Sequence, residues 1–271
     1  MMSRAEVEAI IPTKAYHGAL FDSGGGHFHP LNYCLGLARA AIAAGVRIFE
    51  DSRVTRIEGQ ASPVARTAHG AVRARYLVLA GNAYLGDIAP SHVRGKVMPA
   101  ATYVAATKRL DPERARALIK NDCAVSDTKF VLDYFRLSAD HRMLFGGRVS
   151  YTTLPPPNLA AAMKRSMLAI YPQLADVEFE YVWGGNVAIT VERTPHLGRI
   201  SDNIYFAQGF SGMGVALTGI AGKVMAEAIA GTAERFDVFT RLPHRTFHGG
   251  KLLRTPTLAL AMAWFRLRDL S

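Results

Sequence analysis

The run Asn203-Ile204-Tyr205-Phe206-Ala207-Gln208-Gly209-Phe210-Ser211-Gly212-Met213-Gly214-Val215-Ala216-Leu217 decides how this chain is read. It has the pattern of a short buried strand, a glycine-rich turn and a helix rich in alanine and glycine that continues to Gly231. Such a unit aims backbone N–H groups and the positive end of a helix at whatever lies above the turn. The usual dinucleotide glycine fingerprint opens a domain, whereas this turn comes late in the chain. Its spacing fits either a cofactor turn or a tight strand-to-helix connection with Gly219 and Gly222 easing helix packing. It is not a serine-hydrolase elbow, because Met213 stands where G-x-S-x-G requires its last glycine.

A second apolar run, Tyr76-Leu77-Val78-Leu79-Ala80-Gly81-Asn82, reads as a parallel strand buried on both faces, its carboxyl end opening into a loop. Ligands of open α/β sheets bind at such ends. Upstream, Ser3-Arg4-Ala5-Glu6 forms a capping box, and a polar loop carries Asp22-Ser23-Gly24-Gly25-Gly26-His27. Residues 31–44 then predict a helix with Leu31, Leu35, Ala38 and Ile42 on one stripe. Val46-Arg47-Ile48-Phe49-Glu50 and Val54-Thr55-Arg56-Ile57-Glu58 are expected as strands, with a hairpin continuing through Ala71-Val72-Arg73-Ala74-Arg75.

From about Val97 the pattern changes to strands, interrupted by a helix over 158–171. Thr102 to Thr107, Phe130 to Leu137, Met143 to Gly147 and Val177 to Trp183 are strand-like, with a hairpin turn at Ser138-Ala139-Asp140-His141. The fold class is therefore α/β with an inserted, mainly antiparallel sheet. Tyr134 and Arg136 flank Phe135 and share one sheet face, which is either a substrate-facing surface or a solvated one. Trp183-Gly184-Gly185 fits an aromatic wall beside a ligand or core packing at a strand end.

Composition bounds the alternatives. Two cysteines, Cys34 and Cys123, are too few for a disulfide framework, and Cys34 is expected as a buried small hydrophobe, which fits a cytoplasmic protein. No signal peptide and no apolar stretch of transmembrane length is apparent. The net charge of +10 invites a nucleic-acid reading, but the basic residues are dispersed and no nucleic-acid motif appears, which favours a generic basic face or a surface for an acidic partner. Residues 232–271 are locally basic and end in an expected helix over 256–270, with Trp264, Phe265, Arg266 and Arg268, that would suit docking or an interface. His27-x-His29 lacks further ligands, so no metal site is expected.

Several stretches in one order resemble the FAD-dependent amine oxidases of the D-amino-acid oxidase and sarcosine oxidase superfamily, and most of all its gamma-glutamylputrescine oxidoreductase branch. They are Ala15-Tyr16-His17-Gly18, His27-Phe28-His29-Pro30-Leu31-Asn32, Asp133-Tyr134-Phe135-Arg136-Leu137-Ser138-Ala139-Asp140, Phe145-Gly146-Gly147-Arg148, Thr194-Pro195-His196-Leu197-Gly198-Arg199 and the late glycine turn. The resemblance implies a partial, glutathione-reductase-like FAD-binding domain (15–96 and 190–231), a substrate domain (97–189) and a basic tail (232–271). The family's opening G-x-G-x-x-G turn is missing from this sequence. That implies a truncated or split form, active with a separate N-terminal half chain or through unusual FAD binding, or else a non-catalytic fragment or subunit that pairs with such a chain or with a second copy.

By the same resemblance, Val54, Ala80, Gly81 and Asn82 would lie on the adenine and ribose side of FAD. Gly209, Gly212, Met213, Gly214 and Val215 would lie at its isoalloxazine ring. Tyr134, Arg136 and Trp183 would meet a small-molecule amine, with Arg136 suited to a carboxylate. Met213 stands where this branch often has histidine, and Lys108-Arg109 stands where Glu-Pro is more usual.

Overall fold

The computed structural model describes residues 1–129, 131–150 and 157–247 as a mixed α/β fold with several antiparallel sheets. Phe130 and the expected helix over 256–270 lie outside the described residues. The chain divides into two compact units, one containing 1–33 and 101–185, the other 34–100 and 186–247.

The first unit is built on a five-stranded sheet in the order Phe179–Ile189, Met98–Thr107, Met143–Ser150, Tyr134–Leu137, Val125–Ser126. Met143–Ser150 runs antiparallel to both of its neighbours, and Val125–Ser126 runs antiparallel to Tyr134–Leu137. The expected hairpin turn is present: Ser138 N–H donates to the Arg142 carbonyl, and His141 takes a φ of 63°. Along Tyr134–Leu137 burial alternates, with Phe135 and Leu137 inside and Tyr134 and Arg136 half-exposed on the other face. The helix Leu159–Ile170 inserts Met163, Met167 and Ile170, a spacing of one helical face. Phe135 lies parallel to Phe145 at 6.0 Å and edge-on to Tyr171 at 5.3 Å. Burying these rings contributes about 1.5–3 kcal/mol each. The Tyr171 hydroxyl donates to the Leu118 carbonyl at 3.0 Å, so its polar end is satisfied in the core. At the amino end the capping box forms: Ser3 N–H donates to the Glu6 carboxylate at 2.7 Å, and the helix runs Arg4–Ile10.

In the second unit Ile204–Gln208 is the central strand of three, antiparallel to His196–Ser201 and parallel to Leu77–Leu79. All five of its residues are buried. The expected parallel strand is thus found, although Val78 is 41% exposed, so one face of Leu77–Leu79 is covered and the other is not. The helix Gly214–Ile229 packs Ala221, Val224, Met225 and Ala228 into the same core as Tyr205, Phe210 and Phe236. Arg56–Glu58, Val64–Arg66 and Ala71–Arg73 form a separate antiparallel meander.

Three local expectations are corrected. Residues 46–49 form no strand: a β run needs a hydrogen-bonded neighbour, and none of the described strands pairs with it. The expected strand from Val54 is shorter and begins at Arg56, where pairing with Arg66 begins. The helix Pro30–Ala43 forms as expected but buries no residue. Its stripe at Leu31, Leu35 and Ile42 is 60%, 47% and 57% exposed, and Cys34 on it is exposed, not a buried hydrophobe. Helical periodicity shows that a face is built for cover; it does not supply the cover. No single described helix is long and apolar enough to cross a membrane.

Candidate functional site

The second unit's turn is held by its backbone. Gly209 has a φ of +74°, and a Cβ there would lie 2.4 Å from Thr190 Cγ2 and 3.1 Å from Val97 Cγ1, so only glycine fits. Gly209 N–H donates to Asn82 Oδ1 at 2.9 Å, which ties the turn to the loop leaving Leu77–Leu79. Asn82 itself has a φ of 48°, a conformation asparagine tolerates better than most residues. Two residues on, Ser211 N–H donates to the Ala188 carbonyl at 2.9 Å, and its hydroxyl donates to the Gly209 carbonyl at 3.2 Å. Thr190 N–H donates to that same Ser211 oxygen at 3.3 Å. Ser211 is therefore a structural clamp within the turn.

Beyond this clamp the surface opens. Gly212 has a φ of +96° and no atom within 4 Å of a built Cβ. Met213 and Val215 are 63% and 47% exposed. Met213 serves as the N-cap of Gly214–Ile229, and no side chain caps the helix. An uncapped helix start leaves its first N–H groups turned outward, and an approaching planar or anionic group meets Gly212 and Gly214 there, flanked by the exposed Met213 and Val215 side chains.

Gln208 lies directly before the turn and is fully buried, its amide donating to the Val93 carbonyl at 2.8 Å and to His196 Nδ1 at 3.1 Å. Burial, and then the neighbouring His244, push His196 down to about 4. The His196 and His244 rings stack at 4.3 Å. Of the other predicted cofactor residues, Ala80 and Gly81 are exposed in the loop before Asn82. A Cβ on Gly81 would meet Leu85 Cδ2 at 2.9 Å. Val54 is half-buried just before Arg56–Glu58, and no described contact joins it to the glycine turn.

Within the first unit, the predicted substrate residues occupy a sheet face. A Cβ on Gly146 would sit 2.0 Å from the Tyr134 ring, so glycine there lets the tyrosine lie across the strand. Tyr134 Oη thereby comes within 3.4 Å of Thr102 Oγ1, two strands away. The Arg136 guanidinium donates to the Leu137 and Phe28 carbonyls, both at 3.1 Å, and its Nη1 lies 3.3 Å from His27 Nδ1. Burial lowers its proton affinity somewhat, and it forms no ion pair among the described residues.

Trp183 is 48% exposed on Phe179–Ile189. A Cβ on Gly184 would strike the Tyr103 ring, so alternation turns Trp183 to the face of Thr102 and Tyr134. Two strands nevertheless separate it from Tyr134–Leu137, a span of roughly 14 Å at normal strand spacing. The structure thus joins Tyr134 and Arg136 closely and leaves Trp183 on the same face at a distance. The His27-x-His29 pair serves different ends, since His29 Nδ1 accepts from Asn32 N–H at 3.3 Å. Sequence patterns gave no signal for Thr190, which shapes the turn, or for His27 as a neighbour of Arg136.

Comparison with known proteins gives a consistent answer. Residues 1–228 match the family model of the DAO FAD-dependent oxidoreductases. The chain is 44% identical over 259 residues to gamma-glutamylputrescine oxidoreductase of Escherichia coli (strain K12), an alignment covering 96% of this chain and 61% of that protein. It is 39% identical over 274 residues to "Probable oxidoreductase OrdL" of Haemophilus influenzae, covering 99% of this chain and 62% of that one. It therefore spans about three fifths of the length of these curated relatives. Among solved structures, glycine oxidase from Bacillus cereus superposes with a TM-score of 0.76 at 20% identity, covering 90% of this chain and 67% of that one. The fold, the late glycine turn and these matches place the chain in the DAO family of FAD-dependent oxidoreductases.

Proposed function

We propose that this chain contributes the flavin-ring side and the substrate-binding part of an oxidoreductase that oxidises the C–N bond of an amine or amino-acid-like substrate carrying an acidic group, a gamma-glutamylputrescine-like substrate. The observation that carries the reading is the turn at 209–214. It combines an uncapped helix start, an open glycine and a backbone locked by Asn82 and Thr190, which is a surface suited to FAD. FAD, when bound, supplies the acceptor for the hydride, and with it the electron pair, that leaves the substrate carbon. The protein's own contribution is orientation and electrostatics. In this reading, N–H groups of Gly214 and Val215 stabilise negative charge above the turn, with Gly212 and Met213 beside them, while Val54, Ala80, Gly81 and Asn82 line the other end of the cofactor site. Arg136 holds the substrate's carboxylate, Tyr134 packs beside it, and Trp183 bounds the face further out.

The domain reading assigns 15–96 and 190–231 to FAD, 97–189 to substrate and 232–271 to a basic tail. A second reading has the chain acting as a subunit or fragment completed by a separate N-terminal FAD-binding chain or by a second copy. Its support is the uncovered apolar surface: the stripe of Pro30–Ala43, and Val78 on an edge strand. The test is a visible spectrum of the purified chain before and after FAD is added. A resolved flavin band that survives desalting supports a cofactor-binding chain. A colourless product rejects that and favours the subunit reading.

A further inference from the structure

Arg136 is held by three acceptors, and one of them is a side chain. Arginine can only donate, so the His27 Nδ1 atom 3.3 Å from Nη1 must carry a lone pair. On the far side of the same ring, Nε2 lies 2.6 Å from the Asp122 carbonyl oxygen, which can only accept. Both contacts require the same neutral tautomer, with the proton on Nε2. The ring is thus a rigid strut between a backbone carbonyl and a guanidinium. With the Phe28 and Leu137 carbonyls it engages three of the five guanidinium N–H groups. Among the described residues this leaves two unengaged, the number a bidentate carboxylate takes.

We propose that His27 is a positioning residue: its Nδ1 fixes the rotation of the Arg136 guanidinium, so that the two remaining N–H groups are presented together to a carboxylate. The identity of that carboxylate as part of the substrate rests on the function proposed above; the positioning role does not. A hydrophobic residue at 27 would leave the guanidinium anchored only by carbonyls and free to turn.

The test uses the full chain and glutarate as a carboxylate probe. Long-range proton–nitrogen NMR of the histidines should show His27 as the Nε2–H tautomer, a readout that needs no variant. By calorimetry, His27→Leu should bind glutarate roughly three- to tenfold more weakly, the worth of one hydrogen bond. His27→Asn, which keeps an acceptor near the Nδ1 position, should recover most of that loss. Arg136→Ala should lose binding altogether. An Nδ1–H tautomer, or His27→Leu binding as tightly as the parent while Arg136→Ala fails, overturns the positioning role and leaves Arg136 as the carboxylate seat. Equal binding by the parent and Arg136→Ala, or no binding by the parent, removes the seat and the strut together. Should His27→Leu not fold, as judged by its thermal transition, the tautomer and His27→Asn decide alone.

Discussion

At 209–214 the second unit presents backbone, while at Tyr134 and Arg136 the first unit presents side chains. The turn's geometry is fixed by what is missing, since Gly209 leaves no room for a Cβ and Gly212 leaves its surroundings empty. The sheet face is fixed by what is present: a ring laid over Gly146 and a guanidinium fastened to a loop. A surface made of backbone tolerates almost no substitution at its constrained positions, yet it carries little discrimination between ligands. A surface made of side chains is mechanically forgiving and chemically selective. Under the function proposed above, the turn would serve the part of the reaction shared across the family, and the sheet face the choice of substrate.

The comparison breaks most sharply at Gly209. Gly209→Ala adds left-handed strain of about 1–2 kcal/mol and a clash with Thr190 of about 1–3 kcal/mol, so urea denaturation should show a loss of about 2–5 kcal/mol. A loss under 1 kcal/mol would mean the turn relaxes easily and is not held by its backbone. Gly212→Ala meets open space and should cost only its φ strain, about 1–2 kcal/mol, while obstructing FAD as read by absorbance. Asn82→Ala removes the acceptor for Gly209 N–H and should cost about 1 kcal/mol. Tyr134→Phe removes a contact of 3.4 Å and should change stability by under about 0.5 kcal/mol, moving KM for an acidic amine more than the melting temperature.

The support beneath the turn has a pH signature of its own. His196 is lowered to about 4 from an ordinary value of 6.5, so between those limits the unfolded chain binds more protons than the folded one. Its contribution to stability is complete above pH 6.5 and is lost as pH falls toward 4. Thermal midpoints should drop across that window, and His196→Gln should flatten the drop. An unchanged slope in the variant would assign the acid sensitivity elsewhere.

Much of this was legible beforehand, and the reasons are specific. The glycine spacing at 209, 212 and 214 marked the turn, and the alternation of Tyr134, Phe135 and Arg136 gave the sheet face correctly. What stayed hidden depended on neighbours distant in sequence. Val46 to Glu50 has strand composition, but composition cannot provide a partner strand. The helix Pro30–Ala43 carries an apolar stripe that no described residue buries. The separation of Trp183 from Tyr134 follows from a strand order that differs from chain order. His27 was read as one of a loop pair because nothing in H-x-H spacing points to an arginine 109 positions away.

The pairing of Leu77–Leu79 with Ile204–Gln208, and of Asn82 with Gly209, bears on the order in which the molecule assembles. These partners are separated by about 127 residues, a stretch that contains the entire five-stranded sheet. Long loops close slowly, and a ribosome delivers the earlier strand well before its mate. The five-stranded sheet, whose hairpin contacts are local, can therefore form while Leu77–Leu79 still waits unpaired. The turn should thus form late on the folding path, after a period in which the apolar edge of Leu77–Leu79 is uncovered. Chaperone dependence during synthesis should accordingly centre on this strand, and the turn should be the last part of the second unit to acquire protection from hydrogen exchange.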